Sequence, residues 1–349
     1  MGEHQGSGQD AASAPKWGRL SGRALATAVV GALSVGLLLW VAPPAEVIKQ
    51  IGAMDPAWIL VAIGLELGSC LSYVVIFRRF FPEPPRPVSR QVAWIAMGAG
   101  AVLPGGNISS AAATSWLLRR HGVETIRLIE RAAALLCLLT AFGFVVNGAA
   151  GVLLLVGVPG GPHDLSHAGI PILVSVGVLS SAALTVALAR RLGARAPRLV
   201  RGVAAGLEGA WTAAGTPHWR LFGAAGFLCL DMGALWAACA ATGHPLGVSA
   251  VVIAYCIGYL ATSIPMPAGL GVLDSGLAAS LVLYGLSPAA SVGTVLVYHA
   301  IAIWVPGLGG LIAWLPTRRR RVAVRPVPSE PVLGPVSPVL SEPALGPVP

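Results

Sequence analysis

Six apolar segments of the chain are each long enough to cross a lipid bilayer. A transmembrane helix needs roughly 20 apolar residues, and this length is reached by residues 24–42, 57–77, 132–157, 170–189, 219–242 and 291–315. Hydrophobic residues make up 55% of the 349 residues and charged residues only 11%, whereas a soluble domain carries about 25% charged residues. Because backbone polar groups within lipid must be satisfied internally, the sequence predicts an all-α protein that crosses the membrane many times.

The basic residues are concentrated in alternate loops. All but Lys49 of the 23 lysines and arginines lie before the first segment, after the second, before the third, after the fourth or after the last. Under the positive-inside rule these loops are cytoplasmic, so we expect a bacterial-type inner-membrane protein with both termini inside. The formal net charge of +9 then reflects topology and lipid headgroup contacts rather than nucleic-acid binding.

This topology divides the chain into three parts. A polar cytoplasmic segment, residues 1–23, precedes the transmembrane domain, residues 24–316, and a basic, then Pro-rich disordered tail covers residues 317–349. The first apolar segment is followed by VAPPA, which would also suit a cleaved signal peptide. The long polar region before it and the many later spans favour an uncleaved first helix.

Two further apolar regions, residues 91–118 and 248–284, are interrupted by proline and glycine near their centres. With this topology the first enters from the cytoplasm and returns to it, and the second enters from outside and returns outside. Each is predicted to be a broken helical hairpin, either a re-entrant pair of half-helices or two short spans. The N-terminus of a half-helix offers partial positive charge to an anionic group.

Matching residues in the two halves of the chain indicate an internal repeat. The offset is 163–165 residues for four pairs, which are Glu66 and Asp231, Gly68 and Gly233, Pro104 and Pro267, and Gly122 and Gly285. Because the halves have opposite predicted orientations, the repeat would be inverted, an architecture found in transporters with a substrate site near the midplane. The alternative is that short matches arise by chance in a Gly-rich sequence.

Three carboxylates lie within the apolar regions: Glu66, Asp231 and Asp274. Ionisable groups are costly at bilayer depth, so a functional role is the default expectation. That role would be proton coupling or pairing with an arginine during a conformational change. The alternative is a position near the interface or a permanent ion pair.

Other polar residues have both a structural and a functional interpretation. Asn107 and Ser109 follow the first interruption and can cap a helix or bind a head group, capping being the commoner role. Arg119 and Arg131 can bind a lipid phosphate or serve only to fix the topology.

Motifs for catalysis or metal binding are missing from the sequence. Tyr298 and His299 lie early in the last segment, where a single histidine more often packs than binds a ligand. The stretch HDLSH, residues 163–167, would need a third convergent ligand and a fixed helix or turn to bind a metal. The five cysteines lie in apolar stretches without metal-ligand spacing. Since no nucleophile motif or phosphate-binding loop occurs, we expect no enzyme activity, no metal and no cofactor.

The second interrupted region and the last segment carry a family resemblance. The pattern Pro-x-Pro-x-Gly-x-Gly-Val-x-acid, residues 265–274, is followed by Gly285, a Tyr–His pair and WVPGLGG. With these motifs the chain resembles, over residues 20–316, the flippase-like transmembrane family of the lysylphosphatidylglycerol synthase membrane region.

The resemblance implies a set of site residues at the two hairpins. The matching positions are Pro104, Gly105 and Gly106 in the first hairpin and Pro265, Pro267, Gly269, Gly271 and Asp274 in the second. The family usually has Glu at the position of Asp274 and Arg at that of His299, and an acidic residue often follows the first break. Only the Pro-rich tail follows Arg321, so we expect no aminoacyltransferase domain.

These interpretations together predict an all-α polytopic membrane protein with about six full spans and two oppositely oriented broken hairpins. Its expected function is to move a phospholipid or lipid-linked molecule between leaflets, so a membrane lipid is the expected partner. The alternative is a non-transporting scaffold subunit that binds an envelope lipid or glycan enzyme.

Overall fold

Eleven α-helices make up the described part of the chain. The computed structural model describes residues 44–103, 106–119, 124–157, 165–262 and 272–319. The helices are α1 (Pro44–Gly52), α2 (Pro56–Phe80), α3 (Arg86–Val102), α4 (Asn107–Arg119), α5 (Thr125–Leu155), α6 (Leu165–Leu192), α7 (Arg198–Gly215), α8 (Phe222–Ala241), α9 (Val248–Thr262), α10 (Val272–Leu283) and α11 (Pro288–Arg319). No strand occurs within these ranges, which confirms the predicted all-α class.

Five stretches of helix are long and apolar enough to cross a membrane. They are Pro56–Phe80, Thr125–Leu155, Gly169–Leu192, Trp219–Ala241 and Pro288–Pro316. At 1.5 Å per residue even the shortest is about 34 Å long, which exceeds the roughly 30 Å of a hydrocarbon core. Five of the six predicted full spans are therefore confirmed, and the first, residues 24–42, lies outside the described residues.

Each interrupted apolar region holds two short helices, as predicted. Helices α3 and α4 have 17 and 13 residues, and α9 and α10 have 15 and 12. These lengths correspond to about 18–25 Å, shorter than the hydrocarbon core. Gly106 begins the second arm of the first hairpin with φ +49°, a left-handed conformation that favours glycine.

Helices α2 and α8 cross in an antiparallel arrangement at the centre of the fold. A Cβ added to Gly68 would lie 3.1 Å from Leu230 Cδ1, and one added to Gly233 would lie 3.4 Å from Leu65 Cδ1. These two contacts are reciprocal, because Leu65 and Leu230 have the same offset as Gly68 and Gly233. The crossing therefore has local two-fold symmetry.

Helices α1 to α5 correspond in order to α7 to α11, and several of their contacts are matched. Helix α3 packs on α11, and its counterpart α9 packs on α5. Helix α4 packs on α5, and its counterpart α10 packs on α11. Helix α1 packs on α11 as α7 packs on α5. Each half thus encloses the long helix of the other half, which agrees with the predicted repeat.

Small residues allow helices of the two halves to approach closely. A Cβ on Gly98 of α3 would lie 2.9 Å from the Pro306 carbonyl oxygen of α11, and one on Gly310 would lie 2.9 Å from Gly98 Cα. Such contacts replace the hydrophobic driving force that is missing between helices in lipid. The position of the α3–α4 hairpin is set by this contact.

The basic, Ala/Gly-rich stretch at residues 195–213 predicts an interfacial helix. Helix α7 occupies most of this stretch. Gly206 and Gly209 pack on α5, where a Cβ on Gly209 would lie 2.9 Å from Ala134 Cβ. Trp211 faces outward with 82% of its surface exposed. Helix α7 therefore has one face against the bundle and a Trp-bearing face directed away from it.

Candidate functional site

Two acidic side chains and two tyrosines meet where four helices converge. Asp231 of α8 accepts a hydrogen bond at each carboxyl oxygen. Tyr255 of α9 donates to Oδ2 at 2.6 Å, and Tyr298 of α11 donates to Oδ1 at 2.7 Å. The Glu66 carboxyl of α2 lies close enough to Asp231 for the two groups to interact electrostatically. We call these four side chains the carboxyl–tyrosine cluster.

The cluster lies deep within the transmembrane region. Glu66 is about 15 Å along α2 from its first residue, and Asp231 is about 14 Å along α8 from its first residue. Helix α2 has 25 residues and α8 has 20, so both carboxyls are near the middle of their helices. Glu66 has only 5% of its surface exposed. Acidic groups at this depth need partners.

Glu66 lies on the buried face of α2 for a reason visible in the sequence. Ala62, Glu66, Ser69 and Cys70 are all buried, and their spacing of four, seven and eight residues places them on one helix face. Ser69 Oγ donates to the Phe227 carbonyl of α8 at 2.8 Å. This bond and the small side chains bring α2 against α8 at the level of the carboxyls.

The two carboxyls of the cluster have different partners. Glu66 Oε1 accepts only a weak contact from the Cys70 thiol at 3.8 Å, and Glu66 Oε2 has no donor among the described residues. Both Asp231 oxygens already accept tyrosine hydroxyls. Two carboxyl groups can form a hydrogen bond to each other only when one carries a proton, so a direct bond between Glu66 and Asp231 would require a shared proton.

A small cavity adjoins the cluster. Its volume is about 10 Å³ and it is lined by Thr140, Gly143, Phe144, Leu228, Tyr255 and Cys256. A cavity of this size has room for about one water molecule. It lies between α5, α8 and α9, next to the ring that carries the Tyr255 hydroxyl.

The structure brings three of the predicted site residues together: Glu66, Asp231 and Tyr298. It does not bring an arginine to them, because none of the ion pairs between described residues includes Glu66 or Asp231.

The fourth member of the cluster, Tyr255, is missing from the sequence-based candidates. It lies within the apolar run VVIAYCIGYL, and a buried tyrosine hydroxyl usually has a hydrogen-bond partner. That rule shows that a partner is needed, but it does not identify Asp231.

The remaining described candidates lie on α4, α5 and α11. Asn107 and Ser109 are in the first turn of α4, and Arg119 is exposed at its end. Arg131 pairs with Glu83 in the turn between α2 and α3, so its described contact is structural. His299 follows Tyr298 on α11 and is partly buried.

Several predicted positions lie outside the described residues. These are Pro104, Gly105, Pro265, Pro267, Gly269 and Gly271. Asp274 is in the first turn of α10, but its side chain lies outside the described part. Helix α10 packs on α9 and α11, the helices that carry the two tyrosines of the cluster.

Glu83, which lies outside the spans in the turn between α2 and α3, forms an ion pair with Arg131. Burial alone would raise the pKa of Glu83, but the hydrogen bond and charge of Arg131 outweigh it, so the pKa lies below its ordinary value. The pair joins the start of α5 to the turn between α2 and α3. It fixes the ends of three helices relative to one another.

A sequence model of one protein family matches most of the chain. The family is described as the lysylphosphatidylglycerol synthase TM region, and the match covers residues 24–310. No curated protein matches the chain. The matched range includes both hairpins and all four residues of the carboxyl–tyrosine cluster.

Proposed function

The chain belongs to the family of the lysylphosphatidylglycerol synthase TM region, and from this membership we propose that it moves a phospholipid or a lipid-linked molecule from one leaflet to the other. The family makes it a multi-pass membrane protein of the lipid-modification or lipid-transport kind. Transbilayer movement is the specific activity that its symmetry supports best.

One observation carries the proposal: equivalent carboxyls of the two repeats lie close together at the α2–α8 crossing, near mid-depth. Glu66 and Asp231 occupy matching positions of the two halves, and each follows the leucine that packs on a glycine of the opposite helix. Inverted-repeat transporters place substrate and coupling sites at this kind of interface. When one half rocks against the other, the contact between the carboxyls would change first.

The carboxyl–tyrosine cluster would act as the coupling site. We infer that Glu66 and Asp231 share a proton, so that separating them would remove the hydrogen bond that this proton makes. The proton would then remain with one carboxyl or leave through the small cavity beside Tyr255. The polar head group would move along the hairpin breaks while the lipid tails remain in the bilayer.

The alternative function, a scaffold subunit, is favoured by a different observation. The close glycine contact of Gly98 with Gly310 would hold the hairpins in place without any movement. A scaffold needs no titratable cluster, however, and would tolerate its neutralisation.

A leaflet-resolved assay on purified protein in liposomes tests the proposal. Fluorescent phosphatidylglycerol, an aminoacylated phosphatidylglycerol and a polyprenyl phosphate would each be offered, and loss of fluorescence after adding an external quencher would report movement. We expect faster movement of at least one lipid with the wild type and its loss in Glu66→Gln and Asp231→Asn.

The matched control is Glu130→Gln, which removes an exposed carboxylate of α5. It should move lipid at the wild-type rate. If the folded wild type accelerates none of the three lipids, or if both cluster variants keep the full rate, translocation through this site is contradicted and the scaffold function is favoured.

A further inference from the structure

A cavity separate from the carboxyl–tyrosine cluster lies at the end of α2. Its volume is about 290 Å³, near the lower limit for small-molecule sites. It is lined by Val74, Val75, Arg78, Arg86, Ser89, Arg90, Trp219 and Arg220. Half of these lining residues are arginines, and we call the site the arginine cavity.

The arginines of this cavity have no carboxylate partner among the described residues. The ion pairs between described residues all use other arginines, and the nearby Glu83 is bonded to Arg131. Arg78 Nη1 makes one long hydrogen bond of 3.4 Å to the Pro84 carbonyl. Its Nε is buried, with no acceptor in the described part of the chain.

The positive charges are close enough to repel one another. Arg78 experiences the charges of both Arg220 and Arg86, and the Arg220 guanidinium lies 5.4 Å from the centroid of the Trp219 ring. Clustered cations in a partly enclosed site are unfavourable unless an anion binds between them. Guanidinium groups match phosphate oxygens in a two-pronged geometry, and the N-terminus of α3 adds partial positive charge.

The position of the cavity identifies the source of the anion. Arg78 is near the end of the span Pro56–Phe80, and Trp219 is the first residue of the span Trp219–Ala241. The cavity is therefore at the level of lipid head groups, where tryptophan is enriched. Val74 and Val75 form an apolar wall on the side of the hydrocarbon core, as a lipid ligand requires.

We propose that the arginine cavity binds the phosphate of an anionic membrane lipid. Arg78 and Arg220 hold the phosphate oxygens, Arg86 and Arg90 supply further positive charge, and the acyl chains leave past the valines. Arg78 is about 18 Å along α2 from Glu66, so the two sites are distinct. Binding in the cavity does not depend on the proposed translocation. If the chain does translocate lipid, the cavity is where a head group first binds.

Native mass spectrometry of the full chain in detergent tests the proposal by titration with dioleoyl phosphatidylglycerol and dioleoyl phosphatidylcholine. We expect preferential retention of phosphatidylglycerol. The double variant Arg78→Gln/Arg220→Gln should lose at least about 10-fold in affinity, as expected for charge-assisted hydrogen bonds. The control Arg191→Gln/Arg201→Gln removes two exposed arginines and should change affinity less than about 2-fold.

Equal losses in the two double variants, or no preference for phosphatidylglycerol, would overturn the proposal. Displacement of the lipid by millimolar inorganic phosphate would show that the cavity binds free phosphate, and lipid recognition would be rejected. If the double variant does not fold, Arg220→Gln alone should still weaken binding measurably. Glu66→Gln should retain phosphatidylglycerol, which separates failure of this site from failure of the translocation site.

Discussion

The hydroxyl of Tyr298 gives the sharpest test of the carboxyl–tyrosine cluster. Tyr298→Phe keeps the ring but removes the donor that lies 2.7 Å from Asp231 Oδ1. Tyr298 has 9% of its surface exposed, so water does not readily replace the hydroxyl. A hydrogen bond to a charged group contributes about 1.5–3 kcal/mol, which corresponds to a change of about 10- to 100-fold in an equilibrium or a rate.

We expect Tyr298→Phe to slow lipid movement in liposomes by about 10-fold or more, because Asp231 loses one of its two donors. The same variant should lower the thermal unfolding midpoint in detergent. Tyr73→Phe is the matched control: it removes a tyrosine hydroxyl on α2, and its ring packs against Phe77 and Phe227. Its transport rate should stay near that of the wild type.

A double-mutant cycle decides whether the hydroxyl acts through Asp231. In the Asp231→Asn background, Tyr298→Phe should have a much smaller effect, which gives a coupling energy of about 1 kcal/mol or more. If the two substitutions are additive in both transport and stability, the hydroxyl acts on another group. The coupling role of the cluster would then be refuted.

Three further predictions concern coupling, packing and pH. An imposed pH gradient should change the lipid movement rate of the wild type but not of Glu66→Gln; a gradient response that persists in the variant would contradict proton coupling. In a denaturation assay, Gly310→Ala should lower the free energy of unfolding by about 1–3 kcal/mol, because its Cβ would lie 2.9 Å from backbone atoms of α3. The control Gly64→Ala, whose Cβ would have nothing within 4 Å, should have little effect. Because the pKa of Glu83 is lowered in the folded protein, its pair with Arg131 stabilises the fold above about pH 4.3, and this stabilisation is lost as the pH falls through the folded pKa. The partly exposed pair should contribute at most about 1 kcal/mol. The difference in melting midpoint between the wild type and Glu83→Gln should therefore vanish in acid.

The described spans and the broken hairpins could be predicted from the sequence because hydropathy is a local property. A bilayer requires about 20 apolar residues for each crossing, so the length of each run identifies a span. Proline and glycine mark the interruptions for an equally local reason. The repeat was visible as well, since Glu66 and Asp231 share their offset with Gly68 and Gly233.

The site was only partly predictable because its members are far apart in the sequence. Burial cost identified Glu66 and Asp231 as residues that need a partner, but the sequence did not indicate that each acid would lie beside the other. The contact between them depends on the rotation of α2 against α8, which the reciprocal packing of Leu65 on Gly233 and Leu230 on Gly68 fixes.

The sequence by itself determined that this chain is a membrane protein with two interrupted hairpins and costly buried acids, because composition and local pattern are sufficient for those conclusions. The tertiary structure alone decided that Tyr255 joins the acids. It also decided that Arg78 and Arg220, which the positive-inside rule explains as topology signals, face one cavity. Helix packing determines both results, because it brings together side chains that are separated by 24 to 189 positions in the chain.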